Sequence, residues 1–220
     1  PLELAFNGHA CVTLSSSDGR TLVMDPYLSG ALGGAIRFTP VKADADWVTV
    51  SHYHVDHCHV GRELGTPTVI DRSQRVSGVD FRFIPTYHDA HGGTRMGLTQ
   101  MVTFMWDGLR VAHLGDIGCA LTQDEVRALG RVDILLWPTG GVYTLGPEDA
   151  PQVLDLLQPR LAIPMHYEHA GCALGLAPVD AALAQLSHAT VLRAPGGIWS
   201  SGSGLPDEPT VLVLDPVCGP

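Results

Sequence analysis

Trp47-Val48-Thr49-Val50-Ser51-His52-Tyr53-His54-Val55-Asp56-His57 is the stretch on which the reading turns. It opens on a short apolar, β-branched run, the pattern of a buried strand. Three imidazoles and one carboxylate then fall within six residues. At the end of a strand, side chains at i and i+2 point the same way, so His52 and His54 can reach one point. Asp56 and His57 lie on the next turn and can reach a point beside it. Imidazole together with carboxylate suits zinc and related divalent first-row ions. Four donors are more than one structural ion usually draws from a single loop. The stretch therefore reads as the first half of a metal site with room for two ions. A solvated histidine-rich loop would have no need of a carboxylate at the fifth position and a histidine at the sixth.

The rest of the chain is able to enclose such a site. It has 220 residues, of which 45% are hydrophobic and 16% charged. That composition suits a globular protein with a sizeable core, read here as a single domain over 1–220. The net charge of −10 argues against a nucleic-acid backbone as partner. No apolar run reaches bilayer length, and no basic segment followed by an apolar core opens the chain. The five cysteines are odd in number, scattered and without a Cys-x-x-Cys pair, which favours reduced thiols in a cytoplasmic protein. The expected partner is a small-molecule substrate, with neither nucleic acid nor membrane.

Working outward, strands are expected at 2–6, 11–14, 21–24, 67–70, 81–85, 100–106, 109–113, 132–136, 160–163 and 190–192, besides 47–51. Asp18-Gly19 marks a hairpin turn, and 210–214 reads as an edge strand. Thr122 caps a helix over 121–129, with Glu125 three residues on and Gly130 at its end. Further helices are expected over 144–157, capped by Thr144, and over 178–186. A weaker helical pattern covers 56–64. Many strands early and strand–helix alternation later imply two sheets covered by helices, a four-layer αββα sandwich of the α+β class.

Four further donors sit at strand ends: Asp25, His88, Asp116 and His166. His88 ends an apolar strand, whereas His91 lies in a Gly-rich loop, so His88 is the favoured ligand. His113 lies within a strand three residues before Asp116 and reads as core or supporting. The pattern His-x-His-x-Asp-His after a strand, followed by these residues in this order, resembles the metallo-β-lactamase fold family over residues 3–167. More closely, Gly115-Asp116, Pro138-Thr139-Gly140-Gly141-Val142-Tyr143-Thr144 and Pro164-Met165-His166-Tyr167 resemble the branch that contains ascorbate-6-phosphate lactonase and N-acyl-phosphatidylethanolamine phospholipase D.

The resemblance implies two divalent metal ions at one edge of the sheets, zinc by default, with manganese or iron as alternatives. One ion takes His52, His54 and His88, the other Asp56, His57 and His166, and Asp116 bridges them. Asp25 stands behind the ligands and orients a ligand imidazole. Arg95, Tyr143 and His169 are the candidates for substrate contact. Arg95 would pair with an anionic group, and Tyr143 or Tyr167 would donate to a developing oxyanion. The expected activity is hydrolysis of a small ester, lactone or phosphodiester by a water activated between the ions, with Asp56 and Asp116 as catalytic carboxylates. The competing readings are a di-iron redox or oxygen-handling protein on the same fold and a metal-binding module without catalysis. The intact His52, His54 and His57 favour hydrolysis over the first.

Overall fold

The computed structural model describes residues 1–220. In chain order the strands are β1 (Glu3–Gly8), β2 (Cys11–Ser15), β3 (Thr21–Met24), β4 (Trp47–Thr49), β5 (Thr68–Ile70), β6 (Gln74–Val76) and β7 (Val79–Tyr87). They continue with β8 (Leu98–Trp106), β9 (Leu109–His113), β10 (Ile134–Pro138), β11 (Leu161–Met165), β12 (Thr190–Ala194), β13 (Ile198–Ser200) and β14 (Thr210–Leu214). The helical segments are α1 (Ala31–Gly34), α2 (Gln123–Leu129), α3 (Ala150–Leu157) and α4 (Val179–Leu183).

The strands form two mixed sheets. One has six strands in the order β13-β1-β2-β3-β4-β5, and the other eight in the order β12-β14-β11-β10-β9-β8-β7-β6. Period-two alternation decides which residues meet between them. Leu4, Phe6, Val12, Leu14, Leu22 and Met24 from the first sheet bury against Val102, Phe104, Trp106, Ile134, Leu136 and Ile163 from the second. The opposite face of the second sheet carries Met101, Ala112, Leu135 and Ala162 under Leu129, Val153, Leu157 and Ala182 of the helices. The αββα arrangement expected from the sequence is therefore present.

The outer layer on the six-stranded sheet is mostly loop. Tyr27, Ala31, Ile36, Phe38, Leu64 and Leu176 cover Val23, Val48 and Val50 there. α1 is a single irregular turn, with Leu32 and Gly33 at positive φ. No helix forms over 56–64 beyond one tight turn at Arg62–Leu64. The backbone of 52–57 instead bends to aim its side chains at the sheet edge, and the extended backbone of Gly61 separates that bend from the tight turn. Strand β14 is not at an edge. It lies between β11 and β12, parallel to both, and all five of its residues are buried, as an unbroken apolar run with both faces covered should be. β6 and β13 are additional short strands. α2 has the expected capping box on Thr122. Thr144 caps nothing, since its hydroxyl donates to the Leu145 carbonyl. The Asp149 carboxylate takes the Gly146 N–H at the head of that helical region.

Parallel strands β3, β4, β9 and β11 end at the same edge, and antiparallel β2 begins there, with Val12 opposite Met24. No helix is long and apolar enough to cross a membrane. Phe104 is fully buried and packs on Phe81 at 5.0 Å between ring centroids. Phe104→Ala is expected to cost about 3–5 kcal/mol of unfolding free energy, measured by denaturant titration. Loss of less than about 1 kcal/mol would show that the sheets are not held together here.

Candidate metal centre

The site is assembled at the shared edge from strand ends and one hairpin turn. Asp25 follows β3, residues 52–57 follow β4, His88 follows β7, Asp116 lies beyond β9 and His166 follows β11. Asp25, His166 and His9 adopt left-handed backbone, with φ of 47°, 54° and 56°. Asp and His tolerate this region better than most residues, but each such residue costs about 1–3 kcal/mol and clusters where function needs it. Gly115, also at positive φ, lets the backbone turn Asp116 inward. A Cβ on it would lie 2.7 Å from both the Gln100 carbonyl oxygen and Thr99 Oγ1.

Groups behind the rings fix how three imidazoles present themselves. His57 Nδ1 lies 2.9 Å from Asp25 Oδ2, and His88 Nδ1 2.8 Å from the Tyr143 carbonyl oxygen. Carboxylate and carbonyl oxygens only accept, so Nδ1 carries the hydrogen and Nε2 keeps its lone pair in the neutral ring. His52 Nδ1 lies 2.8 Å from Ser51 Oγ and 3.2 Å from Thr99 Oγ1. Ser51 Oγ in turn donates to Asp25, which leaves its oxygen to accept from His52. Support of this kind behind metal-binding histidines sets both tautomer and direction.

The free nitrogens converge. Asp116 Oδ2 has the Nε2 atoms of His57, His88, His166 and His52 at 2.9, 3.1, 3.3 and 3.4 Å. Nε2 of His52, His57 and His88, Nδ1 of His166 and Oδ1 of Asp116 are all buried without a hydrogen-bond partner. Buried polar atoms are rarely left so. Four of these orphans, the three Nε2 atoms and Asp116 Oδ1, belong to the groups around the point that His166 reaches with its other nitrogen, Nε2, and together they form a donor set that fits a divalent cation such as zinc. The donors fall into two groups, His52, His54 and His88 on one side and His9, Asp56, His57 and His166 on the other, each with ligand atoms within 4.8 Å of one another. All seven residues expected as ligands are thus brought together, and Asp25 lies directly behind His57.

The electrostatics reflect this crowding. Burial alone would lower His57, but Asp116 and Asp56 hold its imidazole well above the ordinary histidine range. Burial alone would raise Asp116, but His166 and His57 hold its carboxyl well below the ordinary range. Burial takes His9 down to about 4, assisted by His166. His113 stands outside the centre: its Nε2 donates to the Ala10 carbonyl at 2.9 Å and its Nδ1 accepts from Gly115 N–H at 3.0 Å.

A cavity of about 400 Å³ opens over the centre, lined by Leu32, His54, Val55, Asp56, His88, Met96, Asp116, Tyr143, His166 and Leu174. Arg95 and His169 are absent from that lining, and each absence has a structural cause. The Asp89 carboxylate accepts main-chain N–H bonds from His91, Gly93, Arg95 and Met96 at 2.7–2.9 Å. This staple coils the loop so that Met96 faces the cavity while Arg95 and His91 are exposed. Glu168 Oε1 likewise takes the N–H groups of Leu174 and Leu176 at 3.0 and 3.1 Å, which presents Leu174. His169 stacks on Phe38 at 5.5 Å instead. Tyr167 is buried in the core between the sheets. A recess of similar size, about 390 Å³, lies at the opposite end of β11 and β14 beside His188, but no convergent ligand set faces it.

Sequence reasoning passes over His9, Asp89, Glu168, Thr99 and the Tyr143 carbonyl. Only His9 carries a signal. It is a histidine directly after the Asn7-Gly8 turn, and the β1–β2 hairpin brings that turn to the edge where β3 and β4 end.

An edge-on cluster of imidazoles and carboxylates between two mixed sheets defines a class of metalloprotein, and comparison with known proteins places the chain within it. Residues 3–166 match the β-lactamase superfamily domain. A UPF0173 metal-dependent hydrolase of Methanoculleus marisnigri is 31% identical over 193 residues, 76% of this chain and 81% of that protein. A Thermotoga maritima structure, presented as a candidate Zn-dependent hydrolase of the metallo-β-lactamase superfamily, superposes with a TM-score of 0.76 at 33% identity, covering 97% of this chain and 98% of that one. The isothiocyanate hydrolase from Delia radicum gut bacteria shares the fold at 18% identity, with a TM-score of 0.64 and 97% and 96% coverage. The chain belongs to the metallo-β-lactamase superfamily and, within it, to the UPF0173 metal-dependent hydrolase family.

Removing the Asp25 carboxylate should weaken the site without touching a ligand. Asp25→Ala is expected to lower zinc affinity about 10–100-fold, read by competition with a chelating dye; unchanged affinity would exclude an orienting role. The raised His57 gives a second test. Its folded-state value lies above 6.5, so its share of metal-free stability is full below about pH 6.5 and lost as pH rises through the folded value. A cation needs the same nitrogen unprotonated. Zinc binding near neutral pH should therefore release protons, seen as buffer-dependent heats in titration calorimetry. Heats independent of the buffer would contradict the assignment.

Proposed function

We propose that this protein is a two-metal hydrolase acting on a small uncharged ester or lactone. The observation that carries the reading is the fixed set of Nε2 lone pairs of His52, His57 and His88, gathered around Asp116 beneath an open cavity. His52, His54 and His88 would hold one ion, Asp56, His57 and His166 the other, and Asp116 would bridge them. Two such ions would acidify a shared water and stabilise charge on the attacking and leaving oxygens.

This chain's residues supply the rest. Asp56, which lines the cavity, would take up the proton of the attacking water and return it to the leaving oxygen, while its Oδ2 is held by His9 at 2.8 Å. Tyr143 lines the cavity, and its hydroxyl would serve as a donor to a developing oxyanion. Half of the lining, Leu32, Val55, Met96, Tyr143 and Leu174, is apolar or aromatic. Such a wall favours a substrate with an apolar body. With Arg95 turned outward, the wall presents no cationic side chain to a phosphate, which favours carbonyl esters over the phosphorylated or phosphodiester substrates of the lactonase and phospholipase branch. The hydrolase designation of the family relatives supports the reaction type. The small uncharged electrophile named for the isothiocyanate hydrolase is consistent with this pocket type.

Zinc-loaded protein assayed on matched neutral esters, lactones, isothiocyanates and phosphodiesters should turn over the neutral acyl substrates fastest. Leu174→Arg is expected to lower kcat/KM on an apolar ester about 10–200-fold with zinc content unchanged. Fully loaded protein that turns over none of the panel, or that prefers phosphodiesters, would sink the reading.

A further inference from the structure

We propose that His9 and Cys172 form a hydrogen-bonded relay that positions Asp56 and His166 for metal binding, with His9 acting as a positioning residue rather than a ligand. The inference rests on the metal-centre reading and goes beyond it, because both residues lie outside the expected ligand set.

The geometry is continuous from thiol to carboxylate. His9 Nε2 lies 2.8 Å from Asp56 Oδ2. An ionised carboxylate only accepts, so this nitrogen carries a hydrogen and donates it. Nδ1 of the same ring is then an acceptor, and Cys172 Sγ lies 3.7 Å from it. Burial pushes the Cys172 thiol up to about 12, so it stays an S–H donor. Neither His9 nor Cys172 is more than 2% exposed. The same hairpin residue holds His166 in two further ways: its carbonyl accepts the His166 N–H at 2.9 Å, and the two rings pack at 4.2 Å between centroids. His9 thus clamps one carboxylate and one imidazole of the second ligand group at once.

The alternative is that His9 is itself a ligand of that group, which it is close enough to join. A nitrogen that donates its hydrogen to Asp56 has no lone pair for a metal, and the thiol already occupies the other one. The left-handed φ of 56° at His9 is the backbone cost of placing the ring between Asp56 and Cys172.

Two measurements on zinc-loaded full-length protein test this. Histidine-side-chain ¹⁵N–¹H correlation spectra should show His9 as the neutral Nε2–H tautomer, with an Nδ1 shift that moves in Cys172→Ala. An Nδ1–H tautomer, or the shift of a metal-coordinated nitrogen, would overturn the relay. In chelator competition, His9→Ala should weaken the more weakly held zinc about 10–100-fold, while His9→Gln, whose amide N–H reaches as far as Nε2, should bind within about threefold of the unsubstituted protein. Equal affinity in His9→Ala, or His9→Gln as weak as His9→Ala, would also overturn it. Thermal unfolding checks that both variants fold. Should His9→Ala not fold, the tautomer in the unsubstituted protein decides. Because the readouts are protonation and affinity, a protein that hydrolyses no tested substrate would still answer the question.

Discussion

Asp25, Asp56 and Asp116 are buried at one sheet edge among six imidazoles, and the rest of the molecule is arranged around the cost of keeping them there. A carboxylate taken out of water must be paired or hydrogen-bonded, or it will protonate. Asp25 meets the demand with the Ser51 main-chain N–H, the Ser51 hydroxyl and the His57 ring. Asp116 has imidazole nitrogens on several sides, and those of His52, His57 and His88 lack hydrogen-bond partners. A divalent cation suits that arrangement, because it satisfies the lone pairs and the negative charge together. The left-handed residues, the glycine before Asp116 and the bonds behind each ring are what hold the donors in place until a cation arrives.

Around this centre the protein uses carboxylates for a second purpose. Asp89 and Glu168 gather main-chain N–H groups and so set the shape of the two loops that wall the cavity. In both cases the polar side chain expected to meet substrate, Arg95 or His169, is absent from the cavity lining. An apolar one, Met96 or Leu174, is turned in. The character of the cavity is therefore decided by where main-chain hydrogen bonds go, two to eight residues from the carboxylate that collects them. The loop-rich cover on the six-stranded sheet contributes in the same way. Leu32, on the irregular turn of α1, reaches the cavity from it, as Leu174 does from the loop after β11.

The features legible in the chain are those that depend on local spacing. The strand-then-His-x-His-x-Asp-His pattern, the donors at the ends of apolar runs and the Thr122 capping box all encode their geometry within a few residues. The helix expected over 56–64 does not form because apolar spacing there suits a turn as well as a helix, and the ligands of that segment require the turn. β14 lies inside its sheet rather than at the expected edge because sequence order says nothing about which strand will enter between two others. Its five unbroken apolar residues are the one local signal of that position.

The sequence by itself determined the fold class and the four ligand candidates of the 52–57 cluster, since alternating side chains and strand ends fix direction locally, and its resemblance to a known family added His88, Asp116 and His166. Only the tertiary structure decided which atoms of those residues face the centre, that His9 joins them from a hairpin more than forty residues before Asp56, and that Met96 and Leu174 rather than Arg95 and His169 wall the cavity. Those outcomes rest on hydrogen bonds between segments far apart in the chain, and no local pattern of residue types records them.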